Sequence, residues 1–185
     1  MENKKKYITN GWLAVVIVAL ILIVDQIIKI EVKTNMTLGE AIRITDWFYI
    51  EFIENNGMAY GMTFFNKLVL SLFRTFAIGA ITWYIWRVVK TGIFSRGYVV
   101  CLAMILAGAA GNLIDCLFYG LIFDASTPFS MADFVPFGTG YSTFLHGKVV
   151  DMFYFPIIRT TYPDWVPMVG GDDFVFFSPI FNFAD

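Results

Sequence analysis

The sequence predicts an all-α membrane protein, and three observations support this fold class. Of the 185 residues, 58% are hydrophobic and only 15% are charged, whereas soluble domains usually carry about 25% charged and about 45–50% apolar residues. Three long apolar stretches are separated by more polar segments. Basic residues gather at one end of these stretches and acidic residues at the other. We therefore expect the apolar stretches to lie in a lipid bilayer.

Each apolar stretch is long enough to cross a membrane. They run from about Trp12 to Ile30, from Leu68 to Val89 and from Tyr98 to Phe118, and a span needs roughly 20 apolar residues. Each must be helical, because the bilayer offers no water to its backbone groups. The first stretch follows Lys4–Lys6, but it is longer than the apolar region of a secretory signal and lacks a cleavage site. It is predicted to be an uncleaved signal anchor.

The charged residues predict the orientation of the spans. Lys4–Lys6 precede the first span, and Arg87, Lys90 and Arg96 surround the turn between the second and third spans. The positive-inside rule places the N-terminus and this turn in the cytoplasm. The two longer segments, which are richer in acidic residues, are then outside.

Outside the spans, two segments are predicted to be β-strands. Arg43 to Ile53 and Val149 to Ile158 are rich in aromatic and β-branched residues, which favour strands. Tyr119 to Gly147 is rich in Gly, Pro, Ser and Thr and is predicted to be a long, irregular extracytoplasmic loop, a candidate lid. No linker divides the chain, so residues 1–185 are expected to form a single membrane-embedded domain.

Several polar residues cluster near the outer ends of the spans. Asp25 and Lys29 are four residues apart, which places them on one helix face, and Asn112 and Asp115 are three apart. An ionisable residue at the centre of a span costs about 2.5–3.5 kcal/mol. Each alone could be an interfacial residue, but together they predict a polar pocket at the membrane surface. Adjoining segments add Asn55, Gly57, Asp151, Asn182 and Asp185.

The residue types in this pocket limit its chemistry. The only histidine, His146, is in the predicted loop, and neither Cys101 nor Cys116 has an obvious base, which argues against nucleophilic catalysis. No Cys/His cluster suggests a metal site, and the net charge of −2 provides no basic surface for nucleic acid. Two carboxylates that share one proton could activate a water and polarise a carbonyl group. This is the aspartic-peptidase chemistry, which requires no metal or cofactor.

Five ordered sequence blocks resemble the bacterial lipoprotein signal peptidases, also called signal peptidase II. The blocks are Asp25–Lys29, Asn55–Gly61, Gly111–Asp115, Val149–Phe153 and Phe181–Asp185. Any one block is weak evidence, but five in the family's order, at the right places relative to the spans, are specific. This family removes signal peptides from prolipoproteins whose cysteine already carries a diacylglyceryl group.

The resemblance implies a role for each matching residue. Asp151 and Asp185 match the catalytic dyad. The positions that line or support the substrate pocket are matched by Asp25, Lys29, Asn55, Gly57, Asn112, Asp115 and Asn182. The family fold implies four transmembrane helices and a small extracytoplasmic β-cradle in the bacterial inner membrane. The implied partners are the diacylglyceryl-modified prolipoprotein and membrane lipid, and we expect a monomer.

The chain departs from the family pattern in three places. Cys116 stands where the family usually has arginine, and Arg74 and Lys148 are candidates to replace its charge. The loop before the fourth block is long. The sequence stops at Asp185, where the family's fourth helix begins, so we expect this chain to lack that helix.

Two other interpretations remain open from sequence alone. A transporter or a non-enzymatic lipid-binding scaffold would also carry polar residues in its spans, although a transporter places them near the midplane. The second interpretation is a peptidase that is inactive because it lacks the fourth helix.

Overall fold

The computed structural model describes residues 2–55 and 66–185, with side chains from residue 9 onward, and this part of the chain forms three long helices and two small antiparallel sheets. The helices are α1 (Glu2–Asn35), α2 (Lys67–Thr91) and α3 (Arg96–Ile114). The axis of α3 continues through a π-helical turn, Asp115–Tyr119, and a short α-helical turn, Gly120–Ile122.

The helix ends follow local capping rules. The Asn66 side chain accepts a hydrogen bond from the backbone N–H of Leu68 at the start of α2, and Ser95 does the same for Tyr98 at the start of α3. Side-chain oxygens of this kind satisfy helix donors that have no partner within the helix. Gly92 ends α2 in the left-handed conformation, at φ 66°, which glycine adopts without steric cost. The short turn makes α2 and α3 antiparallel neighbours.

The helices confirm the three predicted spans. In the described part of the chain, three helical segments are long and apolar enough to cross a membrane: Thr9–Asn35, Lys67–Thr91 and Arg96–Ile122. Each contains one predicted stretch and extends beyond it at both ends. Large apolar side chains such as Phe73 and Phe76 are exposed on their surfaces, as expected where lipid is the solvent. The chain is a multi-pass membrane protein.

A four-stranded antiparallel sheet lies at one end of the helices. Its strands are β1 (Ala41–Thr45), β2 (Phe48–Asn55), β3 (Val149–Tyr154) and β6 (Ile180–Phe181), in the order β1-β2-β3-β6. A separate hairpin pairs β4 (Ile158–Thr161) with β5 (Asp173–Phe176). This arrangement confirms a small antiparallel sheet beside the helices.

The predicted strands were correct in place but wrong in extent. Arg43 to Ile53 is not one strand, because the chain turns at Asp46 and Trp47 and β1 pairs back on β2. The predicted strand Val149 to Ile158 is interrupted after Tyr154, close to Pro156. Proline has no N–H to donate to a strand ladder, which is consistent with the break.

Two apolar cores lie at different levels of the molecule. One packs the end of α1 against the sheet and the start of the loop, and it consists of Val32, Met36, Phe52, Tyr119, Phe123, Val150 and Met152. The other joins the three helices and consists of Ala14, Ile85, Val88, Val89, Val99 and Ala103. Along α1, Asp25 and Lys29 lie between the two cores. The predicted loop, Tyr119 to Gly147, is wrong at its start, because Tyr119 ends the π-helical turn and Gly120–Ile122 continue the helix. From Phe123 to Gly147 the chain is irregular apart from isolated bridges.

Candidate active site

A buried group of charges joins α1 to α3. Lys29 and Asp25 are one helical turn apart on α1, and both side chains are fully buried. The Lys29 Nζ lies 3.0 Å from Asp25 Oδ2 and 2.9 Å from Asp115 Oδ2. A buried ammonium is tolerated when carboxylates compensate its charge. These contacts therefore fix the two helices to each other.

The π-helical turn brings Asp115 to the sheet. Asp115 is its first residue, and its Oδ2 accepts a hydrogen bond from the backbone N–H of Val150 at 3.2 Å. Its Oδ1 accepts from Gln26 Nε2 at 3.0 Å, while Tyr119 Oη donates to Gln26 Oε1 at 3.1 Å. π-helical turns are frequent at functional sites. Here the turn places one carboxylate in contact with both α1 and β3.

Asp151 lies on β3, almost fully buried, with 3% of its surface exposed. Asn182 Nδ2 donates to its Oδ1 at 2.7 Å, and the amide of Asn55 donates to its Oδ2. Burial raises the pKa of Asp151 to about 7, and the nearby Asp185 adds to the rise, whereas the two amides and Lys29 oppose it. Asp151 therefore carries a proton for much of the time near neutral pH.

Asp185 is connected to Asp151 through two asparagine amides. Asn112 Nδ2 donates to Asp185 Oδ1 at 2.8 Å. The Asn112 oxygen accepts from Lys29 Nζ at 3.0 Å and from Asn182 Nδ2 at 2.8 Å. These two donors orient the Asn112 amide so that its NH₂ group faces Asp185. The carboxyl groups of Asp151 and Asp185 therefore share a single network.

The segment 182–185 reaches this position because two glycines of α3 admit it. A Cβ on Gly108 would lie 2.6 Å from the Ala184 carbonyl oxygen, and one on Gly111 would lie 2.8 Å from Asp25 Oδ2. The backbone N–H of Ala184 donates to Asp25 Oδ1 at 3.1 Å. Gly111, the first residue of the third sequence block, therefore also makes room for the charged group.

The predicted site residues meet in one place, with one exception. Gly57 lies outside the described residues. The others form the connected network above: Asp25, Lys29, Asn55, Asn112, Asp115, Asp151, Asn182 and Asp185. The two candidates to replace the family arginine, Arg74 and Lys148, have different contacts. Arg74 Nη1 lies 3.5 Å from Cys116 Sγ, whereas Lys148 Nζ donates to Glu54 at 2.9 Å.

Sequence reasoning missed Gln26 and a second charged cluster around Glu54. Gln26 lies inside the first sequence block, so its position between Asp25 and Lys29 could have identified it as a site residue. Lys33, which contacts Glu54, follows Lys29 by one turn, and helical periodicity could have placed it on the same face. Among the described residues, no group of three or more His, Cys, Asp or Glu side chains is placed to hold a metal ion.

Chemically, the arrangement suits acid–base catalysis by two carboxyl groups. One of them, Asp151, is buried with its pKa raised to about 7, and the other, Asp185, is joined to it through amide groups. Residues 17–185 match the family model described as Signal peptidase (SPase) II. The chain belongs to the signal peptidase II family. It is accordingly a peptidase, and the alternative of a transporter or a non-enzymatic scaffold is wrong.

Relatives agree with this membership, and a solved structure agrees with the fold. The chain is 47% identical over 176 residues to a lipoprotein signal peptidase of Porphyromonas gingivalis, covering 95% of this chain and 77% of that protein. It is 36% identical over 175 residues to one of Amoebophilus asiaticus, covering 91% and 70%. A solved bacterial membrane enzyme matches with a TM-score of 0.60 at 22% identity, covering 94% of this chain and 78% of that one. This last similarity supports the fold.

Proposed function

We propose that this signal peptidase II family member removes signal peptides from diacylglyceryl-modified prolipoproteins, with Asp151 and Asp185 as its catalytic dyad. The observation that carries the dyad assignment is the bridge between the two carboxyl groups, made by the amides of Asn112 and Asn182. The substrate class follows from the relatives, whose names specify lipoprotein signal peptidases. Aspartic chemistry accounts for a site built from carboxyl and amide groups.

The two carboxyl groups would have different roles. Asp185, to which Asn112 Nδ2 donates a hydrogen bond, takes a proton from the attacking water as the water oxygen bonds to the scissile carbonyl carbon. Asp151, whose pKa burial raises to about 7, donates a proton to the carbonyl oxygen. When the resulting tetrahedral intermediate collapses, the C–N bond breaks, the leaving nitrogen takes the proton held by Asp185, and one hydroxyl group of the intermediate returns its proton to Asp151 as the carbonyl forms. One shared proton is sufficient, as in other carboxylate dyads.

The remaining polar residues divide into contact and support groups. Asn55, Asn112 and Asn182 bond directly to the dyad and are placed to contact the peptide. Asp25, Lys29 and Asp115 have no exposed surface. Their role is to hold Asn112, β3 and the segment 182–185 in position, so they support the substrate pocket.

We also infer where the reaction takes place. The basic residues near the N-terminus and between α2 and α3 place those ends in the cytoplasm, which puts the sheet and the dyad at the outer face of the bacterial inner membrane. The diacylglyceryl group of the substrate then lies in the bilayer beside the dyad. We further propose that the protein acts as a monomer and that residues 1–185 belong to a single domain.

Cleavage of a purified prolipoprotein tests this proposal. The chain in detergent or lipid is mixed with a substrate that carries the diacylglyceryl group and with the same substrate without it. We expect cleavage only of the lipidated form. Asp151→Asn and Asp185→Asn should each lower kcat/KM by at least about 100-fold, because each removes a general acid or base.

Asp172→Asn is the matched control, since it removes an exposed carboxylate in the β4–β5 hairpin, and its rate should stay at the wild-type level. Retention of activity within tenfold by either dyad variant would refute the dyad assignment. Equal cleavage of both substrates would refute the lipid requirement. Absence of turnover by the unaltered chain would favour the inactive alternative.

A further inference from the structure

A second buried charged cluster lies next to the dyad, and the proposed reaction assigns it no part. Its centre is Glu54, the penultimate residue of β2, whose side chain is only 2% exposed. One carboxylate oxygen pairs with Lys33 of α1 and accepts from Ser126 Oγ at 3.1 Å. The other accepts from Lys148 Nζ at 2.9 Å. We refer to Lys33, Glu54, Ser126 and Lys148 as the Glu54 clamp.

The clamp fixes the ammonium of Lys33 within a shell of aromatic rings. Its Nζ lies 6.0 Å, 5.4 Å and 5.0 Å from the ring centres of Phe52, Phe123 and Tyr141. It also donates to Ser126 Oγ at 2.8 Å. A buried cation needs both a counter-charge and polarisable neighbours. Burial alone would raise the pKa of Glu54, but Lys33 and Lys148 hold it below its ordinary value, so the clamp is ionic near neutral pH.

The clamp ties together the two strands that carry Asn55 and Asp151. In the β2–β3 register, Ile53 pairs with Asp151 and Glu54 pairs with Val150. Lys148 directly precedes β3, so its bond to Glu54 closes the strand pair beside the dyad. Asn55 follows Glu54 and donates to Asp151 Oδ2. The position of this donor therefore depends on how firmly the end of β2 is held.

We propose that Glu54 is a positioning residue of the peptidase, which, held by Lys33, Ser126 and Lys148, keeps the amide of Asn55 on Asp151. The inference rests on the proposed function, because it assumes that Asp151 acts in catalysis. It also gives the long loop a task, since Ser126 belongs to that loop and Lys148 directly follows it.

Other charged groups surround the carboxylates of Asp151 and Glu54 and also influence their pKa values. Four charged groups lie near Asp151 or near a residue bonded to it: Lys29, Asp25, Asp115 and Asp185. The groups that face Glu54 or its partners are Lys33, Lys67, Lys148 and Asp124. A change in charge at the clamp therefore alters the electrostatic field at Asp151 as well as the position of Asn55. The test must separate these two effects.

The test compares pH profiles of kcat/KM for Glu54→Gln and Lys148→Met. Burial raises the pKa of Asp151 and the amide of Asn55 opposes that rise, so displacing Asn55 should raise it further. The alkaline limb of each profile is the range in which kcat/KM falls as pH rises. Both variants should move this limb upward by about half a pH unit, as expected for one lost hydrogen bond. They should lower kcat/KM by about 10-fold to 100-fold, the scale of a small misplacement. In the Asn55→Ala background neither variant should shift the limb further.

The outcomes separate position from field and from folding. A pure field effect moves the limb in opposite directions in the two variants, because one removes a negative charge and the other a positive charge, and this result would overturn the proposal. Loss of rate in proportion to the folded fraction, with an unmoved limb, would also overturn it. If Glu54→Gln does not fold, Lys148→Met in the Asn55→Ala background decides, because a field effect would still raise the limb there and a positional effect would not. Lys148 is 39% exposed, so this variant should fold.

Glu51→Gln is the matched control. Glu51 is a carboxylate of the same strand that lies outside the clamp, so its variant should keep the wild-type limb. If the wild-type chain does not cleave the lipidated substrate, the proposed function fails before the clamp is tested. If the wild-type chain cleaves the lipidated substrate and both clamp variants keep the wild-type alkaline limb, only the positioning role of the Glu54 clamp is rejected.

Discussion

At the scale of single residues, the proposed mechanism predicts that the protonation of Asp151 sets the pH dependence of cleavage. Its pKa is raised to about 7, and the protonated form is the proposed acid. The rate should therefore fall as pH rises through about 7, and kcat/KM measured from about pH 5 to about pH 9 reports the limb. The apparent value belongs to the dyad as a pair. A rate that stays constant across this range would contradict the assignment.

The same shift has a consequence for folding. The folded state of an acid with a raised pKa binds its proton more tightly than the unfolded state. The contribution of Asp151 to stability is therefore present at low pH and is lost as pH rises from the ordinary aspartate pKa of 3.8 towards about 7. Asp151→Asn, which cannot ionise, should lose less stability over that interval than the wild type. Thermal unfolding measured at several pH values checks this, and equal losses in the two proteins would contradict it.

At the scale of elements, the packing of α3 against the segment 182–185 depends on Gly108. An added Cβ would lie 2.6 Å from the Ala184 carbonyl oxygen, so Gly108→Ala should push this segment away and displace Asp185. We expect at least about a 100-fold loss of activity, because a misplacement near 1 Å can cost that much.

Gly79→Ala on α2 is the matched control for this packing effect. A Cβ there meets nothing within 4 Å, and alanine is a better helix former than glycine by about 1 kcal/mol. This variant should retain activity and unfold at the same or a higher temperature. Equal activity in the two variants would show that close packing at Gly108 is not required.

The elements also show how far the sequence could predict the structure. Span positions follow from composition, since about 20 apolar residues in a row admit few alternatives. Strand propensity located Arg43 to Ile53 but missed the turn at Asp46 and Trp47, because aromatic and β-branched residues continue on both sides of it. The two-residue strand β6 pairs with Phe153 and Tyr154 far away in sequence. Nothing local predicts such a pairing.

At the scale of the whole molecule, the site lies where the helical bundle meets the sheet. The motifs identified Asp25, Lys29 and Asp151 from sequence, because their spacing and order are local properties. They could not show that Asn112 connects Lys29 to Asp185, or that Glu54 has two lysine partners, because these contacts join segments far apart in the chain. The charged groups compensate one another only in the folded state.

The orientation of the whole molecule is the last prediction. If the dyad faces outward, the loop is outside the cell membrane and the α2–α3 turn is inside. In a Cys101→Ala, Cys116→Ala background, single cysteines replace Phe129 in the loop and Ile93 in the turn, which are 94% and 81% exposed. A membrane-impermeant maleimide should label Phe129→Cys in intact spheroplasts but Ile93→Cys only after lysis. The reverse pattern would place the dyad in the cytoplasm, where a signal peptide anchored by its basic end would not present its cleavage site.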